Sequence, residues 1–516
     1  MEKNIYINRI KIKRQWMHIY IKSQLNISSL TATIEFQNNH LNLVHPVELR
    51  LVNGTLECIV DVSSLEADDG DWSIIIRDNE SDTIYLPILD SRVRLSLILG
   101  RHYVQKNEFV YFPMGVSEYH LAIRARRWQD YDSMSFRIRE MGAFALYKAF
   151  GKIFKKKNIW LIYEKYCLSA QENGFYFFEY CMKKNLKNVY FILDKKSPQW
   201  DEAQKYSSNI IPAKSFKHIF YLLIARLYVS PDGRHHAYVW KPMPNPVTRE
   251  LNKKKLYFLQ HGVLALKNVD SLFGINASSS VTYFTASSEF EKSIIVNNMG
   301  YAPENVPVTR LARWDKVNDT SDRANPVILV MPTWRSWLEG QNDEYFRKSS
   351  YYKHYSSLLS NKELQNFLKE NNTKLVFYIH PKLKEFIGAF DIDDSNVEIF
   401  SFDSIPLNRL LMRCSMMITD YSSACWDVYY QGKPILFYQF DIDEYNETNG
   451  SYIDMDTELW GDKCDNEEDL VKSIRKYVAD GFREKEKYAA MRKDYFAYID
   501  HNNCERIYNN IKSRGF

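Results

Sequence analysis

The stretch that decides the fold is MMITDYSSACWDVYYQGKPILFYQFDIDEY, residues 416–445. It opens with an apolar, strand-like segment, MMIT, which the polar turn DYSS at 420–423 ends. A helix is predicted over Ala424 to Gln431, where Gly432-Lys433-Pro434 stops it, and ILFY at 435–438 is predicted as the next buried strand. A strand, a polar turn, a helix and a strand in this order are typical of a βαβ element in a parallel sheet.

The polar turn admits two interpretations. Ser and Asp are preferred N-cap residues, so Asp420, Ser422 and Ser423 can be explained as the ordinary start of a helix. Free backbone N–H groups at a helix N-terminus also favour an anion, and two adjacent hydroxyl groups add further donors. The turn alone does not separate a cap from an anion site, so the rest of the chain has to decide.

Length and composition set the broad class. With 516 residues the chain exceeds one ordinary core, so two or three domains are expected. Hydrophobic residues at 45% and charged residues at 26% are typical of a folded globular protein. The net charge of +4 is small for this length and does not favour nucleic-acid binding, which usually shows a concentrated basic face.

The cysteines and the apolar runs indicate the compartment. Seven cysteines are scattered, with no CxxC pair and no metal-ligand spacing, which suits buried thiols in a reducing cytosol. The N-terminus MEKNIYINRIKIKRQW lacks the apolar core of a signal peptide, and no run of about 18 apolar residues is present. We therefore expect a cytoplasmic protein that contacts the inner face of the membrane peripherally.

The first part of the chain differs in pattern from the rest. Residues 1–115 alternate apolar and polar side chains between Asn, Asp and Gly turns, which predicts an antiparallel β-sandwich-like accessory domain without a catalytic cluster. A helical, basic linker is predicted over 116–157. Its end, MGAFALYKAFGKIFKKKN, could lie on an anionic bilayer, or it could be an ordinary amphipathic helix with solvated lysines.

From residue 158 onwards strands alternate with helices. NIWLIYE, NVYFILD and LYFLQHG are strand segments in 158–320, and VILVMPT, KLVFYIH and MMITDYSS are strand segments in 321–516. Strands that alternate with helices predict a doubly wound parallel sheet. The sequence therefore predicts an α/β protein with twin Rossmann-like domains that face a cleft, the second of which carries the terminal helices.

Polar candidates follow several of these strands, at the edge where open α/β sheets bind ligands. His261 can accept a proton near neutral pH, although a lone histidine is also often structural, and Gly262 would let a substrate approach the backbone. Arg335 offers a planar fork for phosphate oxygens, and Thr333 adds a donor. Pro381 favours an extended His380 at its strand tip, and Lys382 adds positive charge.

Together with the serine pair, these residues describe a cleft for a diphosphate. No Gly-rich phosphate loop and no metal-ligand cluster is evident, so the sequence indicates no cofactor. Side chains and a helix dipole would then stabilise the charge of a leaving nucleotide. A requirement for a divalent cation stays open.

Four motifs carry a resemblance to a known family. LQHGVLALKNVD, VILVMPTWR, KLVFYIHPKLK and MITDYSSACWDVYYQGKPILFYQFD resemble the ordered motifs of the CDP-glycerol glycerophosphotransferases, which are teichoic-acid and capsule polymerases with a GT-B fold. The resemblance covers roughly residues 158–512 and includes LARWD at 311–315. Residues 1–115 lie outside it.

The resemblance implies transfer of a polyol phosphate from a CDP-polyol to a hydroxyl of a lipid-linked glycan or polyol-phosphate acceptor, with release of CMP. It makes 158–320 the acceptor domain and 321–516 the donor domain. By motif, His261 would be the general base, His380 would contact the donor phosphates, and Ser422 and Ser423, with Asp420, would bind the pyrophosphate. Further phosphate contacts would be Thr333, Arg335 and Lys382, and other candidates are Gly262, Lys267, Arg313 and Asp315.

Departures from the family leave alternatives open. A common form of the first motif is WHGTPLK, whereas this chain has Gln260 before the histidine and VLALK after Gly262. The acceptor and the choice between glycerol and ribitol therefore stay undetermined.

A GT-B sugar transferase that uses a CMP- or UDP-sugar is the main alternative, because SPDG at 230–233 resembles an acidic-Gly motif in which Asp232 would be the base. An Asp-Gly turn is also a common loop element. A catalytically silent binding protein is a third class, against which the intact motifs speak.

Overall fold

The computed structural model describes residues 5–22, 27–37, 42–65, 70–99, 103–116, 119–238, 246–277, 279–392, 394–401 and 405–516. The chain divides into two compact units. The first unit comprises Met1–Lys157, Pro212–Ile224 and Tyr238–Lys254, and the second comprises Asn158–Ile211, Ala225–Ala237 and Lys255–Phe516.

The first unit is built on β-strands whose apolar side chains alternate. In the second strand Met17, Ile19 and Ile21 are buried while their neighbours reach the surface, which is the period of a strand with one covered face. The elements are β1 (Tyr6–Lys13), β2 (Trp16–Lys22), β3 (Leu30–Gln37), β4 (Asn42–Val52), β5 (Thr55–Asp61), β6 (Gly70–Asp78), β7 (Thr83–Tyr85), β8 (Ile88–Leu89), α1 (Ser91–Leu99), β9 (Val104–Lys106), β10 (Phe109–Gly115), β11 (Leu121–Arg127) and α2 (Met134–Lys155).

The predicted antiparallel β-sandwich-like arrangement of these strands is not confirmed. Within the described residues they form one continuous sheet in the order β8-β1-β2-β5-β4-β3-β6-β11-β10-β9, with β7 on β6. The reason is the long strand β4, because its first half pairs with β3 and its second half, from Glu48 to Val52, pairs with β5. The sheet also includes β11, so the β-rich region extends past the predicted end at residue 115.

The first half of the second unit is a parallel sheet in the order β14-β13-β12-β15-β16-β17. Its strands are short and fully buried, as expected for a sheet covered on both faces. The elements in this part of the chain are β12 (Trp160–Ile162), α3 (Asn173–Lys183), β13 (Val189–Leu193), α4 (Trp200–Ala203), β14 (Ile210–Pro212), α5 (Phe216–Ile224), β15 (Leu227–Ser230), α6 (Pro246–Leu251), β16 (Leu256–Phe258), α7 (Asp270–Phe273), β17 (Tyr283–Phe284) and α8 (Glu289–Asn297). Of these, the helices α5 and α6 belong to the first unit.

The second half repeats this topology in the order β20-β19-β18-β21-β22-β23. The predicted βαβ element is confirmed, with a helix that begins at Cys425 rather than Ala424. The elements are β18 (Val327–Val330), α9 (Asp343–Lys348), α10 (Ser350–Ser360), α11 (Lys362–Glu370), β19 (Lys374–Tyr378), β20 (Val397–Phe400), α12 (Leu407–Arg413), β21 (Met416–Thr419), α13 (Cys425–Tyr430), β22 (Ile435–Tyr438), α14 (Ile442–Thr448), β23 (Asp462–Cys464), α15 (Glu467–Ala479), α16 (Glu486–Tyr495) and α17 (Asn503–Ser513).

Both sheets therefore have the strand order 3-2-1-4-5-6 of a doubly wound fold, which confirms the twin Rossmann-like halves. The terminal helix α17 differs from expectation, because it packs on the first half rather than the second. Tyr257 in β16 donates its hydroxyl hydrogen to Asn510 Oδ1 at 3.0 Å, and Trp160 packs against Tyr508. The chain thus crosses back to the first sheet at its end.

Helix α2 packs within the first unit. Ser133 caps its N-terminus by accepting a hydrogen bond from the Phe136 N–H, and Phe136, Ala143 and Tyr147 are buried. Phe154 meets Phe220 of α5 edge-on at 5.1 Å. No helix of the described residues is long and apolar enough to cross a membrane. All seven cysteines are buried free thiols, as their apolar surroundings predict.

Candidate active site

The histidine of the first motif is held by a constrained backbone. Gln260, which follows β16, has a φ of 59°, a left-handed conformation that is uncommon outside glycine. Its side-chain amide donates to the Thr285 carbonyl, and its own carbonyl accepts a hydrogen bond from Asn173 Nδ2 at 2.7 Å. His261 therefore leaves the strand in a direction that neighbouring segments fix.

His261 pairs with Asp232, which follows β15. The distance between His261 Nε2 and Asp232 Oδ1 is 3.1 Å, and Asp232 Oδ2 accepts a hydrogen bond from the Lys165 N–H at 2.8 Å. Burial would raise the pKa of Asp232, but the hydrogen bond and the charge of His261 outweigh it and lower that pKa to about 2. An ionised carboxylate only accepts, so Nε2 carries the proton and Nδ1 keeps the free lone pair.

The pair also tunes the basicity of the imidazole. Burial lowers the pKa of His261, but the hydrogen bond to Asp232 and its negative charge more than compensate, so the pKa lies above the ordinary 6.5. The His261 side chain is 44% exposed and lines the cleft. A histidine with a free Nδ1 and a buried carboxylate behind it is suited to take a proton and to hold the resulting positive charge.

His380 follows β19 and has the opposite character. Its Nδ1 accepts a hydrogen bond from the Lys382 N–H at 3.2 Å, so the proton of the neutral ring lies on Nε2. Burial, and then the positive charges of Lys382 and Lys165, lower the pKa of His380 to about 4. The ring stacks on Trp334 with 5.9 Å between the centroids. A neutral imidazole with a free N–H is suited to donate a hydrogen bond to an anion.

The serine turn acts as a cap and also leaves donors free. Ser422 Oγ accepts a hydrogen bond from the Ala424 N–H at 3.3 Å, which is the cap interaction that the sequence suggests. Among the described residues, the backbone N–H groups of Ser422 and Ser423 and the Ser423 hydroxyl have no hydrogen-bond partner. The turn therefore presents several unused donors beside His261 and His380.

Gly262, which the sequence suggested as a point of close substrate approach, also makes a close contact within the protein. A Cβ atom at this position would lie 2.8 Å from Ser423 Oγ and 3.0 Å from Ser423 Cβ. Real Cβ atoms do not approach other heavy atoms this closely, so a larger residue would push the two segments apart. The glycine thus brings the histidine motif of the first half against the serine turn of the second half.

Arg335 and Asp420 do not face the cleft, contrary to the expectation of phosphate contacts. Arg335 is 1% exposed, and its guanidinium group binds Asp420 Oδ2 at 2.9 Å and Asp441 Oδ2 at 2.7 Å. Asp420 also accepts the Thr333 N–H at 2.8 Å. Because Arg335 and Asp420 are buried, a ligand in the cleft cannot reach them. Their ion pairs hold the serine turn in place instead. Thr333 does line a cavity, and its Oγ1 has no partner among the described residues.

Arg313 and Asp315 also have mainly structural contacts. Arg313 binds both oxygens of Asp427 in α13 at 2.8 and 2.7 Å, and its Nη1 donates to the His261 carbonyl at 2.6 Å. It therefore links the histidine segment to the helix that follows the serine turn. Asp315 accepts the N–H groups of Asn503 and Cys504 at 2.8 Å each, so it caps α17.

Two cavities meet at the reactive groups. The first measures about 250 Å³ and the second about 270 Å³, and both are lined by His261, His380, Ser422 and Ser423. The first extends over α12 and α13, whereas the second extends along Gly262 to Lys267 and over Trp334. Lys382 lines neither cavity, because its Nζ lies 2.7 and 2.8 Å from the two carboxylate oxygens of Glu339.

Sequence reasoning missed two buried residues that build the site. Asn173 donates to the Gln260 carbonyl and accepts the Arg313 N–H at 2.9 Å, so it joins both flanking segments. Glu164 accepts the N–H groups of Phe175 and Gln171 at 2.6 and 3.0 Å. The sequence does contain a signal for each residue, because Glu164 follows a buried strand and Asn173 starts a helix in an Asn-Gly pair.

Two doubly wound halves that share one polar cleft define a GT-B-like protein. The family model for CDP-glycerol:poly(glycerophosphate) glycerophosphotransferase matches residues 145–513, and the chain belongs to this family.

Similar proteins agree with this assignment. The minor teichoic acid biosynthesis protein GgaB of Bacillus subtilis is 30% identical over 374 residues, which are 70% of this chain and 40% of that protein. A teichoic acid glycerol-phosphate primase of Bacillus spizizenii is 32% identical over 124 residues, 24% of this chain and 28% of that protein. The chain thus spans less than half the length of these relatives. The solved wall teichoic acid polymerase TagF shares the fold, with a TM-score of 0.50 and 16% identity over 75% of this chain and 100% of that chain.

The buried Arg335 network leads to a stability prediction. Replacing Arg335 with Gln leaves Asp420 and Asp441 as buried carboxylates without their cation, so we expect a loss of about 3–5 kcal/mol in the free energy of unfolding. Unfolding in guanidinium chloride, monitored by tryptophan fluorescence, measures this free energy. The control is Arg347→Gln, which removes an exposed pair with Asp343 and should have a much smaller effect. Equal effects of the two substitutions would contradict the structural role.

Proposed function

We propose that the chain transfers glycerol phosphate or ribitol phosphate from a CDP-polyol to a hydroxyl of a lipid-linked teichoic-acid or capsule-type acceptor and releases CMP. The observation that carries this proposal is the meeting of the His261–Asp232 pair with His380 and the Ser422-Ser423 turn in one cleft. Membership in the glycerophosphotransferase family supports the reaction class.

On the acceptor side, His261 Nδ1 takes the proton of the acceptor hydroxyl. The hydroxyl oxygen then forms a bond to the β-phosphorus of the donor, which carries the polyol. Asp232 stabilises the imidazolium that results, because the carboxylate is ionised and already hydrogen-bonded to Nε2. The hydrogen bond to Asp232 fixes the tautomer and the orientation of the His261 imidazole before substrate binds.

On the donor side, the bond between the β-phosphorus and the bridging oxygen breaks, and CMP leaves with that oxygen and its electron pair. Negative charge therefore grows on the leaving phosphate. The free N–H groups of Ser422 and Ser423, the Ser423 hydroxyl and His380 Nε2–H are the donors available to hold it. In-line displacement needs little else than this positioning and charge stabilisation.

The first cavity is suited to the nucleoside. Leu407, Leu411 and Met412 give it an apolar wall beside the serine turn, and Asn408 adds an amide. Sites for small molecules commonly combine such apolar walls with a few polar groups that fix orientation. A pyrimidine nucleoside held there would place its diphosphate at the shared edge of the two cavities.

The sugar-transferase alternative is less well supported. It requires Asp232 to act as the base, yet this carboxylate is buried and both of its oxygens are engaged, one by His261 and one by the Lys165 N–H. Asp232 reaches the cleft only through His261. The contact favours a positioning role for Asp232 and the role of base for His261.

The first test is donor-dependent release of CMP. We expect release from CDP-glycerol or CDP-ribitol and none from CMP-sialic acid, and His261→Ala should lower the rate by about a hundredfold or more because the proton acceptor is lost. His354→Gln, in α10, is the matched control and should keep the wild-type rate, because His354 lines neither cavity. No release from either CDP-polyol would exclude the proposed function.

The second test is the pH profile of Asp232→Asn. Because Asp232 raises the pKa of His261, the wild-type rate should rise through a pKa above 6.5 as His261 loses its proton. Without the carboxylate this rise should move to lower pH, and the plateau rate should fall by about a hundredfold. If the rate of CMP release, measured between pH 5 and 9, reached half its plateau at the same pH in both proteins, Asp232 would not control the pKa of the base.

We also propose that α2 contacts an anionic membrane surface. Five apolar side chains of α2 are exposed, and five lysines lie at its C-terminal end and just beyond it; the apolar residues are Met134, Ile138, Met141, Phe150 and Ile153, and the lysines are Lys148, Lys152, Lys155, Lys156 and Lys157. The helix also packs against α5. Exposed apolar side chains beside lysines suit the interface of anionic lipids.

Charge reversal tests this contact. Changing Lys152, Lys155 and Lys156 to Glu should weaken cosedimentation with phosphatidylglycerol liposomes by about a hundredfold, since each lysine near the surface contributes roughly 1 kcal/mol. Activity on a short soluble acceptor should be unchanged. The control reverses three exposed lysines elsewhere, Lys369, Lys472 and Lys493. Equal losses for both triple variants would assign the binding to net charge rather than to α2.

A further inference from the structure

The second cavity contains a cation that has no counter-ion among the described residues. Lys267 lines it and is half-buried, and its Nζ lies 5.9 Å from the centre of the Trp334 ring. In the part of the chain that the structure describes, this ammonium group has no hydrogen bond and no carboxylate partner. A half-buried charge without a partner is costly, so its retention indicates a ligand of opposite charge.

A second lysine, Lys382, lies beside the same tryptophan and is itself paired with Glu339. Lys382 Nζ lies 4.1 Å from the centre of the same Trp334 ring, and burial together with Lys382 lowers the pKa of Lys267. No carboxylate is among the described residues that line the second cavity. The first cavity differs, because its cations Arg313 and Lys316 share the lining with the carboxylates of Glu172 and Asp427. The lining of the second cavity contains Lys267 and no carboxylate among the described residues.

The donor diphosphate has other partners in the proposed reaction. The serine turn and His380 hold it at the shared edge, and the apolar wall of the first cavity accommodates the nucleoside. From that edge, the second cavity continues past His261 and Gly262 towards Lys267. It is thus open to the molecule whose hydroxyl approaches His261.

We propose that the second cavity binds the terminal phosphodiester of an anionic acceptor, with Lys267 as the phosphate-binding cation and Trp334 as the wall that the polyol carbons contact. This assignment rests on the proposed function. In a chain of polyol phosphates the free terminal hydroxyl and the nearest phosphate are separated only by the carbons of one polyol unit. His261 and Lys267 line one cavity, and the proposal assigns the hydroxyl of a polyol unit to His261 and the nearest phosphate to Lys267.

The consequence is selectivity between acceptors. A neutral sugar terminus offers nothing to Lys267 and would leave its charge uncompensated, whereas a phosphodiester supplies the missing counter-ion. Recognition of the acceptor then depends on charge close to the attacking hydroxyl. It also weakens with ionic strength, as an interaction with a partly exposed cation does.

Binding to a soluble acceptor fragment tests the site without any donor. The probe is a synthetic trimer of glycerol phosphate, measured by isothermal titration against wild-type protein, Lys267→Gln and Lys267→Arg. A charge-assisted hydrogen bond is lost in the Gln variant, so we expect its dissociation constant to rise by about tenfold or more, while Arg stays within about threefold. Neutral triglycerol is the control ligand, and Lys348→Gln, which removes an exposed lysine on α9, is the control variant.

A second titration separates this site from the donor site. Titration with CDP-glycerol alone reports on donor binding, and its dissociation constant in Lys267→Gln should stay within about threefold of the wild-type value. A loss of CDP-glycerol binding of about tenfold or more would place Lys267 in the donor site and overturn the proposal. So would equal binding of the trimer to Lys267→Gln and wild type. If no CDP-polyol is a substrate, the proposed function fails, yet the titrations still decide whether Lys267 holds a phosphodiester.

Discussion

The guanidinium group of Arg335, buried between Asp420 and Asp441, is the interaction on which the cleft depends. It lets two carboxylates lie inside the second half without water, and Asp420 in turn holds the Thr333 N–H and the start of the serine turn. Tyr421 donates to Asp441 and stacks on Tyr445 at 3.5 Å, which closes the network. A rigid turn of this kind offers its free donors in a fixed direction, as stabilisation of a developing charge requires.

A second constraint joins the two halves. Arg313 binds Asp427 with two hydrogen bonds and also holds the His261 carbonyl, and Gly262 allows Ser423 to approach to a distance that no Cβ would permit. These contacts fix the base of one half against the phosphate-binding turn of the other. Such sites typically lie at the carboxyl ends of parallel strands near the point where the strand order reverses. Here the points of reversal of both sheets border the same cleft.

Sequence patterns predicted where the motifs lie more accurately than they predicted which side chains contact each other. The turn at 420–423 and the histidines at 261 and 380 were found because polar residues directly follow buried strands. Arg335 was assigned to phosphate because an arginine after a strand gives the same pattern whether it faces a ligand or a buried carboxylate. Only packing distinguishes the two, and it places Arg335 against Asp441, more than a hundred residues away. The single sheet of the first unit was missed because alternation predicts strands but not how β4 divides its pairing.

The sequence by itself determined the alternation of strands and helices, the two halves and the reactive residue types, because burial periodicity and local turn chemistry are properties of neighbouring residues. It could also show the likeness to the glycerophosphotransferases through the order of four motifs. The tertiary structure alone decided which side chains meet. It brought Asp232 to His261, removed Arg335 and Asp315 from the cleft, and gave Lys267 no counter-ion among the residues that the structure describes. The reason is physical, since a charge acquires its role from the groups within a few ångströms of it, and those come from distant parts of the chain.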